Sequence, residues 1–226
     1  MKAKKERMSE VLDILSKLYP DIKIQLDFSN PFELLIATIL SAQCTDARVN
    51  IVTKTLFVKY KSPLDYISVP QEQLEKDIFS TGFYKNKAKN IQGCCHKIIE
   101  NFNGEVPHDI DSLTSLDGVG RKTANVVLGH CFDTPGIVVD THVKRISNRL
   151  GFVNSDNAVI IERELEKLIP KELWVIFTHY FINHGRKTCT GQRPKCEDCT
   201  IQHLCPSAFK IVKAKTKKSP LKKKAS

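Results

Sequence analysis

Lys122 stands two residues after a D-G-V-G turn, Asp117 to Gly120. Eighteen residues later Asp140 ends the apolar run of V-V-D-T-H-V-K-R. An amine that acts as a nucleophile and a carboxylate that stays an anion are the parts of Schiff-base chemistry at a sugar. The turn before the lysine adds a binding element. Gly118 and Gly120 lack a Cβ, so the backbone there can take positive φ and its N–H groups can approach a ligand closely. Apolar Ala124, Val127 and Leu128 place a helix directly after Gly120. Free donors and the helix dipole at its start favour an anion such as a phosphate. Blander readings stand beside these. G-x-G between two helices also makes a tight connection, a lysine in a first helical turn is usually solvated, and Asp140 before Thr141 can be a helix cap.

A second group of residues lies near the C-terminus. Cys189, Cys196, Cys199 and Cys205 read C-x6-C-x2-C-x5-C, four thiols inside seventeen residues. Zinc and a [4Fe-4S] cluster both accept four cysteines, and ligand softness does not separate them. His203 lies close enough in sequence to stand in for one thiol. The cysteine loop also carries Arg186, Lys187, Arg193 and Lys195, which could meet DNA phosphates or be solvated charged residues. Cys44, Cys94, Cys95 and Cys131 have no ligand spacing and read as small buried apolar residues.

The elements that must position these residues read as helices throughout. Apolar residues at intervals of three and four predict helices over 2–18, 31–43, 45–60, 140–150, 155–168 and 171–183, with short helices near 63–67 and 70–79. Asn30-Pro31 is a strong start signal, cap then proline, and the 31–43 stretch is apolar nearly all round, hence central. A turn at Thr81-Gly82 leads into a long helix ending near Phe102, stopped by Asn103-Gly104. The chain breaks at Asp133 to Gly136, and no stretch alternates with period two long enough for a strand. An all-α protein is expected.

Composition agrees with that class. The 226 residues are 41% hydrophobic, enough for one core or two small ones. The net charge is +10, but Lys210 to Ser226 holds eight lysines and no acid, so the body carries only +2. That tail has little to bury and is expected to be disordered, adding salt-sensitive DNA affinity or serving only as a solubilising appendage. The first ten residues are charged with no apolar core of a secretory signal, and no apolar run approaches a membrane span. A protein inside the cell is expected, where eight cysteines are metal ligands or buried thiols before they are disulfides.

L-D-G-V-G-R-K-T-A-N followed by V-D-T-H resembles the helix-hairpin-helix and catalytic aspartate of the endonuclease III DNA glycosylases. P-F-E-L-L-I-A-T-I-L-S-A-Q (31–43), N-G-E-V-P (103–107) and the terminal cysteines extend the likeness from about Met8 to about Pro206. The resemblance implies two helical domains with a cleft between them: residues 24–134 with the hairpin, and residues 1–23 joined to 135–209 with the cluster loop. It implies a [4Fe-4S] cluster on the four cysteines, Lys122 as nucleophile and Asp140 as its partner carboxylate across the cleft. The implied activity is a bifunctional base-excision-repair glycosylase and abasic-site lyase. Its expected partner is double-stranded DNA carrying oxidised pyrimidines or abasic sites, met by a cytoplasmic, nucleoid-associated monomer. Lys122 separates the chain from the adenine-mismatch branch, which normally lacks a lysine there. Gln43 matches a residue that fills the gap left by a flipped nucleotide; Phe83 departs from the leucine expected as its companion. It is a competent wedge between bases, or alternatively a core aromatic after a turn. The alternatives are a monofunctional glycosylase that uses water, and a non-catalytic iron–sulfur DNA-binding module.

Overall fold

The computed structural model describes residues 3–210. The lysine-rich tail expected to be disordered lies, from residue 211 on, outside the described residues. Every regular element among those described is helical, as the spacing of apolar residues predicts. No described helix is long and apolar enough to cross a membrane. The chain divides into two compact units, residues 24–136 and a discontinuous unit of residues up to 23 and from 137 onward.

The continuous unit is built on α2 (Pro31–Leu40). The Asn30 side chain accepts from Glu33 N at 2.9 Å, Pro31 occupies the first turn, and the Glu33 carboxylate accepts from Ser29 N. Leu34, Leu35, Ile36, Ala37 and Leu40 are all fully buried. Each larger side chain contributes about 1.5–3 kcal/mol of transfer free energy, so the helix is held by its surroundings on all sides. Around it pack α3 (Asp46–Lys59), α6 (Tyr84–Phe102) and α8 (Arg121–Cys131); α4 (Pro63–Ile67) and α5 (Gln71–Ile78) cover α6, and α7 (Ile110–Thr114) covers α8. Asn103 ends α6 at φ 52° and Gly104 follows at φ 84°, its N–H bonded back to Ile98 O. That left-handed stop is what the Asn-Gly pair predicts.

One segment predicted as helix ends sooner. α2 stops at Leu40, so Gln43 is not on it; Gln43 sits three residues beyond, exposed, at φ 54°. Phe83 caps α6 in the same left-handed region, at φ 49°.

In the discontinuous unit, α1 (Lys4–Leu18) packs on α11 (Trp174–Lys187), and α11 on α9 (Thr141–Arg149); α10 (Ala158–Glu166) completes the core. Met8, Val11 and Leu15 of α1 are fully buried against Phe177, Phe181 and their neighbours. α11 runs to Lys187, four residues past the end predicted at Asn183, and passes through Gly185. A Cβ at Gly185 would lie 2.5 Å from His142 Nδ1. This glycine therefore allows α9 to approach closely; it does not stop the helix.

Candidate active site

The hairpin is assembled on one face of α6. Asp109 caps α7, the chain turns through Asp117-Gly118-Val119-Gly120, and α8 opens at Arg121. Asn90, Gly93 and Lys97, three and four apart on α6, form the bed for that turn. Lys97 Nζ donates to Ser115 O and to Asp117 Oδ1, both at 2.9 Å. A Cβ on Gly93 would collide with Asp117 Oδ2, and one on Gly118 would stand 2.9 Å from the Asn90 Cβ. The turn is thus seated where any larger residue would lift it. The two hairpin glycines play different parts. Gly118 takes φ 74°, whereas Gly120 is extended at φ −90° and caps α8, with nothing within 4 Å of where its Cβ would be. Its missing side chain leaves the start of α8 open to a ligand.

Lys122 lies in the first turn of α8, exposed and directly beside that opening. Asp140 lies in the other unit, half-buried, as the cap of α9. Its Oδ1 accepts from His142 N and Val143 N, both at 2.8 Å, so the cap does not engage Oδ2. Burial holds His142 below its ordinary pKa, and the Asp140 carboxylate opposes that shift. Thr178 Oγ1, on α11, accepts from Val138 N just before the aspartate. The Asp140 carboxylate is therefore a structural cap that uses only one of its two oxygens.

Gln43 and Phe83 both lie exposed on the continuous unit, and Phe83 keeps 61% of its surface in water. That exposure excludes the core-aromatic alternative. Phe79, 62% exposed, packs against Tyr84 beside it, with ring centroids 4.7 Å apart. Large exposed aromatics grouped in this way mark a contact surface.

Cys189, Cys196, Cys199 and Cys205, all free thiols, line one apolar pocket. Among the described residues no three or more His, Cys, Asp or Glu side chains gather closely enough to hold a single metal ion. Two arginines one turn apart on α9 bind the cysteine loop. Arg149 donates to Cys189 Sγ at 3.3 Å and to the Thr190 and Gly191 carbonyls, and Arg145 to Cys189 O. Ile201 and Leu204 anchor the loop's far side in the core. Burial pushes the Cys199 thiol up to about 11, and the other three cysteines add to the shift. Four thiolates here would oppose one another without a cationic centre among them. His203 does not line the pocket; it faces Glu10 at 3.7 Å.

Residues 36–171 match the HhH-GPD superfamily of base excision DNA repair proteins. Over 209 residues the chain is 52% identical to the endonuclease III of Synechocystis sp., covering 92% of this chain and 95% of that one. The chain belongs to the endonuclease III family. A solved structure of a non-covalent endonuclease III–DNA complex superposes with a TM-score of 0.89 at 52% identity, over 94% of this chain and 100% of that one. A trapped endonuclease III–DNA covalent intermediate, with an estranged adenine, matches equally well.

Within this endonuclease III fold the structure redraws one sequence reading and adds two residues to the site. Arg186 and Lys187 are not on the cysteine loop; they form the exposed last turn of α11, with Lys187 Nζ 5.3 Å from the centre of the Tyr19 ring. Arg193 and Lys195 do lie on the loop, both exposed. Gly93 and Lys97, which seat the hairpin, were not among the predicted site residues. A glycine inside an otherwise regular helical pattern was the available signal, since it marks close backbone approach.

Proposed function

We infer that Lys122 and Asp140 carry the two activities of this DNA N-glycosylase and abasic-site lyase, and that its substrates are oxidised or ring-saturated pyrimidines in duplex DNA. The observation that carries the reading is an exposed lysine in the first turn of a helix whose preceding hairpin is seated by α6 and open at Gly120. Backbone N–H groups at that helix start would take a phosphate beside the damaged nucleotide. The Lys122 amine donates its lone pair to C1′ as the glycosidic bond breaks, and the base departs with the bonding electrons and a proton released from the attacking nitrogen. The sugar ring opens to the imine, the C2′ proton is lost, and the C3′–O bond breaks with the phosphate as leaving group. Asp140 would hold the positive charge that develops at the sugar.

The target base must leave the stack, costing a few kcal/mol. Gln43 and Phe83, exposed on left-handed backbone, are the proposed gap-fillers, and Phe83 has the apolar face such a wedge needs. Arg186, Lys187 and Arg193 would meet backbone phosphates.

The cysteine pocket fits a [4Fe-4S] cluster. Four thiols surround one apolar space, burial and the neighbouring cysteines disfavour the ionisation of Cys199, and Arg149 donates to the Cys189 sulfur. Such a cluster would supply the positive centre that four thiolates require and would fix the loop. Analysis of the purified protein should find about four irons per chain; one zinc per chain would replace the assignment.

A duplex containing one thymine glycol tests the whole reading. Base release, strand scission 3′ to the lesion and a covalent adduct on borohydride addition are expected together. Base release without scission or adduct would instead point to water as the nucleophile.

A further inference from the structure

Lys87 is only 4% exposed, yet no step above uses it. Its Nζ donates to Leu40 O and to Thr81 O, each at 2.8 Å. Burial lowers its pKa, as expected for an ammonium whose two bonded partners are neutral carbonyls. Taking a cation out of water is costly, and a similar-sized apolar side chain would fill the same space without that cost. Stability alone is a poor reason for this lysine.

The two carbonyls suggest a better one. Leu40 ends α2, three residues before Gln43; Thr81 ends the short 3-10 turn of Phe79–Thr81, two residues before Phe83. Carbonyls at a helix C-terminus lack partners within the helix and carry the negative end of its dipole, so an ammonium is well matched to both. Gln43 and Phe83 also share a cost. Each is a non-glycine residue in the left-handed region, at φ 54° and 49°, a conformation that persists only where its surroundings enforce it. Lys87 is itself fixed to Phe83, its N–H donating to Phe83 O at 3.0 Å.

We propose that Lys87 is a positioning residue, whose ammonium ties the segments carrying Gln43 and Phe83 into one rigid pair so that both enter the duplex together. The proposal rests on the gap-filling roles given to Gln43 and Phe83 above. The full-length protein is compared with Lys87→Met, which keeps the stem and loses the donors, using 2-aminopurine next to the lesion to read flipping. Lys87→Met should abolish the fluorescence rise and slow duplex base excision by about 10-fold or more. Cleavage of single-stranded abasic DNA, which needs no gap-filler, should stay within about 2-fold. Gln43→Ala should slow excision strongly in the wild type but by less than about 2-fold in the Lys87→Met background, because the two act as one unit. Lys87→Arg, with charge and donors kept, should recover flipping. It also carries the comparison if Lys87→Met does not fold: failure to flip in a stably folded Lys87→Arg overturns the proposal.

Full additivity of Gln43→Ala and Lys87→Met, or a parallel loss of single-stranded cleavage, would likewise overturn it and leave Lys87 a packing residue. If Gln43→Ala and Phe83→Ala themselves flip normally, the gap-filling roles fail, and Lys87 has nothing to position.

Discussion

Lys122→Ala is expected to eliminate borohydride trapping on a damaged duplex and to lower strand scission by about 10^3-fold or more, equivalent to roughly 4 kcal/mol of transition-state stabilisation. The size follows from the proposed role: without the amine there is no carbon–nitrogen bond at C1′ and no imine to make the C2′ hydrogen acidic. Folding should hardly notice. Lys122 is exposed in a first helical turn, and alanine is at least as good a helix former. The melting temperature should therefore move by no more than about 2 °C. The hairpin that takes the phosphate is seated through Lys97, Gly93 and Asn90, none of which the substitution touches. Affinity for abasic DNA should accordingly remain. Trapping that persists in Lys122→Ala would show that another amine forms the adduct, and the assignment would move to that residue.

Asp140 calls for two substitutions, because it serves as both cap and carboxylate. Asn is as good a helix cap as Asp, so Asp140→Asn retains an oxygen for His142 N and Val143 N and should cost only a few tenths of a kcal/mol. It removes the negative charge, however, and base excision should fall about 10^2- to 10^3-fold. Asp140→Ala loses both charge and cap, adding about 1 kcal/mol of destabilisation. Comparing melting temperature and excision rate across the pair separates the roles. If Asp140→Asn is fully active and only Asp140→Ala is impaired, the aspartate is a cap alone.

The endonuclease III likeness rests on features written locally in the chain. Asn30 with Pro31, Asn103 with Gly104, and the D-G-V-G turn are each decided within four or five residues, where capping bonds and permissive backbone outweigh distant influence. The four terminal cysteines, close together in the sequence, line one pocket. Gly185 shows where such reasoning fails. Apolar spacing ends this helix at Asn183, but α11 continues through Gly185, whose missing side chain makes room for His142 of α9, more than forty residues earlier.

By itself, then, the sequence determined the helical class, the hairpin, the lysine that follows it and the aspartate that opens a later helix. Each depends on short-range geometry. That the N-terminal helix joins the C-terminal ones followed from the family resemblance and not from spacing; only the tertiary structure decided that α6 supplies the bed for the hairpin turn and that Lys87 reaches back to Leu40, 47 residues earlier in the chain. These are contacts between residues whose types are compatible with many partners. Which partner each one meets is fixed by burial and close packing, and no spacing along the chain records it.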